Sequence, residues 1–272
     1  MVKIVTINVL FDPREPDSWG RRRQLLVDGL AAEQADLIGL QEVNLRDGAG
    51  PWLAEQLGMP HVFLAPTPAN LLGQRAEWGL GILSRHPFLR QEQLDLRSQA
   101  RVAQYVEVEI DKRPLVFCNG HYYWRPGPTP LREAQIRLLL EWLGRLPPET
   151  PIVAVGDFNA TPDTPEMALM RSRFVSAYAA CHTCEPEYTC PTPLRKRKPL
   201  WRRLARWLVN LGVHGSLRGW RGTLDYIFVS RDLTVRDCRL ILTKPATNDA
   251  RLYPSDHFGI AAELVHGPEK VE

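Results

Sequence analysis

The chain has 272 residues, of which 44% are hydrophobic and 24% are charged, a composition typical of a soluble globular protein. This length suits one large domain or two small ones, and no apolar run approaches the length of a membrane span. The five cysteines are an odd number, and no secretory signal is recognisable. These features predict reduced thiols and a cytoplasmic location.

Predicted strands and helices interleave along the chain. Short apolar or alternating runs predict strands, and apolar residues three or four apart predict helices. In chain order the predicted elements are a strand over 2–9, a helix over 22–34, strands over 36–40, 79–83, 102–110 and 115–118, a helix over 130–146, a strand over 152–155, a helix from 165, and strands over 223–229, 235–242 and 259–264. This order predicts an α/β or α+β fold with mixed sheets.

Three positions carry helix-start signals. Thr129 and Thr164 each precede a proline, and a Thr cap followed by proline at the first helical position is typical of a helix start. Asp17 or Ser18 is the expected cap of the first helix.

Polar residues fall at or next to the boundaries of the predicted strands. After the strand over 152–155 comes the sequence GDFN, in which Asp157 and Asn159 are two residues apart. In extended backbone such a pair points to the same side, and strand ends of α/β sheets are common ligand sites. The same placement holds for five other residues: Asn8, Glu42, His121, Asp256 and His257.

Seven segments together resemble the endonuclease/exonuclease/phosphatase superfamily, which has the pancreatic-deoxyribonuclease-like fold. They are TINVL (6–10), LIGLQEV (37–43), GLGILSR (79–85), NGHYY (119–123), GDFNATPD (156–163), TLDYIFVS (223–230) and YPSDHFGI (253–260). The resemblance covers the whole chain. It implies one domain over 1–272, built as a four-layer αββα sandwich with two mixed β-sheets and an active site at one edge.

The resemblance also implies a metal site. Glu42, helped by Asn8 and Asp256, would hold Mg²⁺ or Mn²⁺, ions that prefer hard oxygen ligands. Asp157 and Asn159 would orient the attacking water and the phosphate.

Two histidines complete the implied site. His257 would contact the phosphate or act as general base, with Asp225 fixing its tautomer. His121 would protonate the leaving oxygen. The abasic-site endonucleases of the superfamily lack a histidine at this place, so the sequence is closer to the deoxyribonuclease-like, sphingomyelinase-like and deadenylase-like branches.

A basic insertion at about 181–222 departs from the family pattern. The stretch 188–224 contains nine Lys or Arg and no Asp or Glu, so the rest of the chain has a net charge of −6 although the total is +3. Basic residues concentrate over Arg195–Arg206, opposite apolar residues at helical spacing. This amphipathic helix has three interpretations: packing on the sandwich, docking a nucleic acid, or binding an anionic membrane.

The same insertion contains Cys181, His182, Cys184 and Cys190. A structural zinc site needs four ligands, and no second ligand pair at matching spacing is present, so free buried thiols are expected.

The sequence as a whole favours a divalent-metal-dependent phosphoesterase that hydrolyses phosphodiester bonds, with DNA or RNA as the favoured substrate. Two alternatives remain: a lipid or small-molecule phosphodiesterase or phosphatase with the same chemistry, and a catalytically inactive binding module.

Overall fold

The computed structural model describes residues 1–11, 16–68, 77–125, 127–194 and 220–267. Its strands are β1 (Val2–Asn8), β2 (Leu37–Asn44), β3 (His61–Pro66), β4 (Trp78–Ser84), β5 (Arg90–Asp95), β6 (Val102–Ile110), β7 (Arg113–His121), β8 (Ile152–Asp157), β9 (Val175–Ser176), β10 (Asp225–Val229), β11 (Leu233–Ile241) and β12 (Gly259–His266). Its helices are α1 (Pro16–Glu33), α2 (Ala49–Leu57), α3 (Pro130–Leu143), α4 (Pro165–Arg173) and α5 (Ala177–His182).

The strands form two six-stranded sheets, ordered β11-β12-β1-β2-β4-β3 and β5-β6-β7-β8-β10-β9. Each sheet is mixed, because one central pair is parallel (β1 with β2, β7 with β8) and the other pairs are antiparallel. In each sheet the strand beside the parallel pair (β12 or β10) therefore begins where its neighbour (β1 or β8) ends. This arrangement gathers strand ends and strand starts at one edge.

Four layers follow from how the apolar faces pack. Side chains of both sheets, such as Ile4 and Ile82 facing Phe117 and Val153, form the buried layer between the sheets. Helix α1 covers the outer face of the first sheet, and α3 and α4 cover that of the second. Burying both faces explains why the central strands read as continuous apolar runs. The predicted αββα sandwich is confirmed.

The first helix differs from its prediction. It begins at Pro16, so Ser18 lies inside it and accepts a hydrogen bond from Arg22 Nε at 2.9 Å instead of capping. The apolar pattern missed this turn because the first turn is polar apart from Trp19. Thr129 does cap α3, since its hydroxyl accepts from Leu131 N. Thr164 makes no such cap, because its hydroxyl donates to Thr161 O.

Short or exposed elements were not predicted. β5 is an edge strand with mostly exposed polar residues, and α2 and α5 have only 9 and 6 residues. None of the described helices is both long and apolar enough to cross a membrane. The predicted basic amphipathic helix, with Arg195–Arg206, lies outside the described residues.

Candidate active site

The predicted site residues meet at the shared edge of the two sheets. Asp157, the last residue of β8, is paired with His121 of β7 on one side and with Asp225 of β10 on the other. Asn8 ends β1 of the opposite sheet, and its Nδ2 donates to Asp157 Oδ2 at 3.1 Å. Asp157 is therefore the centre of a cluster that spans both sheets.

The backbone around Asp157 is fixed by unusual conformations. Gly156 has φ 140°, and a Cβ at this position would lie 2.0 Å from Gly120 O, so only glycine allows this approach of β7 and β8. Asn159 has φ 52°; its N–H donates to Asp157 Oδ1 at 3.0 Å, and its side chain donates to Tyr122 O at 3.2 Å. Such left-handed residues are held by their surroundings and are frequent at functional sites.

Glu42 reaches the site through a β-bulge. The register between β2 and β4 shifts between Leu40 and Val43, and Glu42 inside this bulge has φ 56°. A bulge redirects a side chain; that of Glu42 is 27% exposed, with Oε1 4.0 Å from His121 Nε2. Burial, and next the charge of Asp256, raise the pKa of Glu42. Glu42 was expected at the end of its strand, and the structure places it within the strand.

His257 and Asp225 form the predicted pair. His257 Nδ1 lies 2.8 Å from Asp225 Oδ2, which also accepts a hydrogen bond from Thr189 Oγ1 at 2.6 Å. Burial lowers the pKa of His257, but the charge of Asp225, at hydrogen-bond distance from the ring, opposes it, and the pKa lies well above its usual value. The imidazolium form of His257 is therefore favoured.

His121 has the opposite electrostatic environment. Arg101 Nη1 lies 2.8 Å from His121 Nδ1 and 3.0 Å from Nε2, and the guanidinium carbon is 5.0 Å from the ring centroid of Trp78. Burial, and next the positive charges of Arg101 and His257, lower the pKa of His121 well below its usual value. His121 is therefore neutral at neutral pH.

Arg101 is a site residue that the sequence did not indicate. It lies just before β6, outside every recognisable motif, and only the fold places it beside His121. Its charge lies close enough to Glu42 and Asp157 to interact with both carboxylates. The site thus has two buried cations, Arg101 and His257, around the central carboxylate.

Two buried amides, Gln41 and Asn119, support the site from below. Asn119 Nδ2 donates to Leu40 O and Gly81 O at 2.9 and 3.0 Å, and its Oδ1 accepts from Gln41 Nε2 at 2.7 Å. These bonds join β7 to β2 and β4 across the gap between the sheets. The sequence signal that could have identified Gln41 and Asn119 is a polar residue next to an apolar run, because a buried amide needs hydrogen-bond partners.

A buried arginine, Arg22, connects the two segments that carry Asn8 and Asp256. Its Nη1 donates to Val9 O at 2.9 Å and to Pro254 O at 2.7 Å, and its Nη2 donates to Leu10 O at 2.8 Å. Ser255 Oγ adds a bond to Asn8 O at 2.5 Å. The exit of β1 and the approach to β12 are therefore held together.

The oxygen donors at the edge fit a hard divalent cation. Glu42 and Asp256 are close enough for their charges to raise the pKa of Glu42, a repulsion that a bound cation would offset. Asn8 is adjacent; its Oδ1 accepts from Leu10 N and keeps a second lone pair. These oxygen donors could hold a divalent cation.

The cysteines of the insertion do not assemble as one zinc site. Cys181 and Cys184 are exposed, and His182 Nε2 lies 2.7 Å from the carbonyl of Cys238. All five cysteines are free thiols, but Cys181 and Cys184, expected to be buried, are exposed because they lie at the surface end of α5 and just after it. In the described part of the chain, clusters of three or more His, Cys, Asp or Glu ligands occur at two places, Cys190–Asp256–His257 and Asp157–Asp225–His257.

Comparison with known proteins gives relatives along most of the chain. Nocturnin of Drosophila melanogaster is 25% identical over 285 residues, covering 93% of this chain and 43% of the fly protein. The 2',5'-phosphodiesterase 12 of Mus musculus is 23% identical over 283 residues, covering 89% of this chain and 45% of the mouse protein. The chain thus spans about half the length of the curated relatives it matches.

Solved structures share the fold. The human Nocturnin catalytic domain with bound sulfate has a TM-score of 0.73 at 24% identity, covering 97% of this chain and 93% of that domain. D. rerio TDP2 complexed with single-strand DNA product has a TM-score of 0.73 at 18% identity, covering 97% and 98%. The sequence model of the Endonuclease/Exonuclease/phosphatase family matches residues 5–257. This match confirms the resemblance, and the chain belongs to the endonuclease/exonuclease/phosphatase family.

Proposed function

We propose that this protein is a divalent-metal-dependent hydrolase of phosphodiester bonds in nucleic acid. The observation that carries the proposal is the convergence at one sheet edge of three oxygen donors, a central carboxylate and two buried cations. An inactive binding module would not need acidic and cationic groups placed this closely, since unpaired buried charges are costly.

We assign metal binding to Glu42 and Asp256, with Asn8 as a third oxygen ligand. When bound, Mg²⁺ or Mn²⁺ would offset the charge on the phosphate and on the leaving oxygen. The remaining roles belong to side chains of the chain itself.

Asp157 is the proposed general base. Burial raises its pKa to about 7, with His257 lowering it and Asp225 raising it. A carboxylate with a pKa near neutrality can accept the proton of the attacking water at physiological pH. Hydrogen bonds from Asn8 Nδ2 and Asn159 N hold its two oxygens in fixed directions. Asn159 then orients the water and the phosphate.

His257 is the proposed contact to the phosphate. Its raised pKa favours the imidazolium, which attracts a phosphate oxygen and is unsuited to accept a proton. Of the two roles that the resemblance left open, phosphate contact therefore has the better support. Arg101 supplies a second positive charge near the carboxylate of Asp157.

The lowered pKa of His121 argues against a role as general acid, because the ring would not carry the proton that an acid must donate. Its Nε2 lies 3.4 Å from Asp157 Oδ2, so we assign it to positioning the base and Arg101. We expect His121→Ala to slow hydrolysis of a nitrophenyl diester and of an unactivated dinucleotide by similar factors, because neither reaction would lose a proton donor. Measuring kcat/KM for both substrates tests this.

The role that the family resemblance implies for His121, that of general acid, predicts a different result. An activated nitrophenolate leaves without a proton, so loss of an acid would slow the dinucleotide far more than the nitrophenyl ester. That selective loss would show that His121 is protonated in the substrate complex.

A panel of substrates with and without metal tests the function itself. We expect DNA or RNA oligonucleotides to be hydrolysed with Mg²⁺ or Mn²⁺, hydrolysis to stop with chelator, and activity to return when metal is restored. Sphingomyelin and small phosphomonoesters should be poor substrates. Efficient turnover of either class instead of oligonucleotides would favour the lipid or small-molecule alternative, and no turnover of any substrate would favour the binding module.

Three observations support nucleic acid as the substrate class. One structural neighbour, TDP2, holds a single-strand DNA product. Trp124 is 56% exposed and lies shortly after His121 in the chain. Trp220 is 41% exposed and lies beside Gly222, which also approaches Thr161. Both rings are available for base stacking. The basic segment Arg195–Arg206 would attract a polyanion. We infer a cytoplasmic location from the five free thiols.

Replacing the basic residues of that segment should weaken docking without harming chemistry. With Gln at Arg195, Lys196, Arg197, Lys198, Arg202, Arg203 and Arg206, we expect a higher KM for oligonucleotides and a flatter salt dependence. Each lost phosphate contact should remove about 0.7 to 0.9 from the slope of log K against log salt concentration. Hydrolysis of a small diester should barely change.

A matched control replaces exposed arginines elsewhere, Arg21, Arg137 and Arg145, with Gln. An unchanged salt slope in the segment variant would exclude the segment as the nucleic-acid docking surface. Loss of binding to anionic vesicles in the same variant would favour the membrane interpretation. If charge replacement is harmless and polar substitution of Trp201, Leu204 and Leu208 lowers Tm, packing on the sandwich is the correct interpretation.

A further inference from the structure

Cys190 lies beside the active site and has no part in the proposed mechanism. It is half-buried, and its backbone is fixed by a pair of hydrogen bonds with Gly222, from Cys190 N to Gly222 O at 3.1 Å and from Gly222 N to Cys190 O at 2.9 Å. Its sulfur lies within 4.8 Å of a ring nitrogen of His257. A soft nucleophilic atom therefore stands next to the proposed metal and phosphate residues.

Three different ligand types converge at this point. Cys190 Sγ, a carboxylate oxygen of Asp256 and a ring nitrogen of His257 all lie within 4.8 Å of one another, so one ion can contact all three. Thiolate, imidazole and carboxylate are typical zinc ligands, and three protein ligands with an open position occur in many zinc sites. Mg²⁺ prefers oxygen donors alone, so the thiolate makes this set selective for a softer ion.

Neighbouring residues hold these ligands in place. Asp225 fixes the imidazole of His257 through Nδ1 at 2.8 Å, and Thr189 donates to the same Asp225 oxygen at 2.6 Å. A carboxylate behind a ligating histidine is the usual support of a zinc site. Thr189 directly precedes Cys190, so one backbone segment fixes both the support and the thiol. Little movement of the side chains is needed for an ion to bind, and binding releases the thiol proton of Cys190 and one ring proton of His257 to solvent.

We propose that Cys190, Asp256 and His257 form a zinc site that inhibits the enzyme. An ion bound there engages Asp256, assigned to the catalytic metal, and His257, assigned to the phosphate, so hydrolysis stops while zinc is present. The inhibitory effect rests on the proposed function, whereas zinc binding does not. Free zinc would then act as a reversible off-switch that Cys190 makes possible.

The binding arm uses Co²⁺ as a spectroscopic substitute for zinc on the metal-free full-length chain. Thiolate coordination gives a ligand-to-metal charge-transfer band in the near ultraviolet, which oxygen ligands such as Glu42 do not give. We expect one equivalent of Co²⁺ to produce this band and Zn²⁺ to displace it. The band should disappear in Cys190→Ser and persist in the matched controls Cys181→Ser and Cys184→Ser, which change exposed thiols.

A second binding measurement needs no variant. Zn²⁺ should slow alkylation of Cys190 by iodoacetamide, followed by peptide mass spectrometry, and leave the rates at Cys181 and Cys184 unchanged in the same molecules. Absence of the charge-transfer band together with unprotected Cys190 would overturn the zinc site, whatever the activity of the protein.

The inhibition arm measures hydrolysis at saturating Mg²⁺ with increasing Zn²⁺. Loss of a ligand should weaken zinc binding by about tenfold or more, because even changes in residues that support the ligands cost about 10- to 100-fold in metal affinity. Cys190→Ser should therefore keep its basal rate and need at least about ten times more Zn²⁺ for half-inhibition. Equal inhibition of this variant and the wild type would overturn the regulatory role. If no substrate is hydrolysed at all, the proposed function fails, and the Co²⁺ band still decides the site.

Discussion

Replacing Glu42 with Gln should reduce kcat/KM for an oligonucleotide on the order of a hundredfold or more, because the substitution removes the half-buried carboxylate assigned to the metal. It should also abolish the stabilisation that Mg²⁺ or Mn²⁺ gives the wild type, since a ligand that binds only the folded state raises Tm. Steady-state kinetics and thermal unfolding with and without metal measure the two effects.

The metal-free Glu42→Gln protein should be at least as stable as the wild type. Burial and the charge of Asp256 both raise the pKa of Glu42, so its ionised form is unfavourable until a cation is bound. Glu109→Gln, which changes an exposed glutamate of β6, is the matched control and should behave as wild type. A Glu42→Gln enzyme with wild-type turnover and metal-induced stabilisation would contradict the assignment.

Replacing Asp225 with Asn should lower the pKa of His257 and reduce activity by about 10² to 10³, the range for loss of one group that stabilises charge on the reacting phosphate. Asp225 opposes the effect of burial on His257, and Asn keeps the shape of the side chain without the charge. A group with a raised pKa is charged at low pH and loses its charge as pH rises. The alkaline limb of the pH–rate profile, above the usual histidine pKa in wild type, should therefore move to lower pH.

NMR titration of the His257 ring in the metal-free protein measures this pKa without relying on turnover. The variant Asp232→Asn, in the exposed turn before β11, is the control and should leave the titration unchanged. If His257 titrates identically in Asp225→Asn and in wild type, Asp225 does not hold the charge, and the phosphate-contact role loses its basis. The acid limb should follow Asp157, whose ionised form is lost as pH falls through about 7.

The sequence by itself determined the class of fold and indicated most of the candidate site residues. Continuous apolar runs such as 152–155 identified central strands, because strands covered on both faces have no polar side. Asn8, His121 and Asp157 were identifiable because they end such strands, and the ends of neighbouring parallel strands, such as β7 and β8, lie at the same edge of a sheet. The matching motifs then indicated the family, which the comparison confirms.

The tertiary structure decided what depends on neighbours distant in the chain. The sequence suggested His121 as the acid and left two roles open for His257, but burial and Arg101 lower the pKa of His121, whereas Asp225 raises that of His257. Arg101 and Cys190 join the site only through folding, since neither lies in a motif and each lies close to a histidine at least 20 residues away along the chain. A pKa or a ligand cluster depends on the distances between such groups, and those distances are fixed by sheet register and bulges that local sequence patterns do not encode.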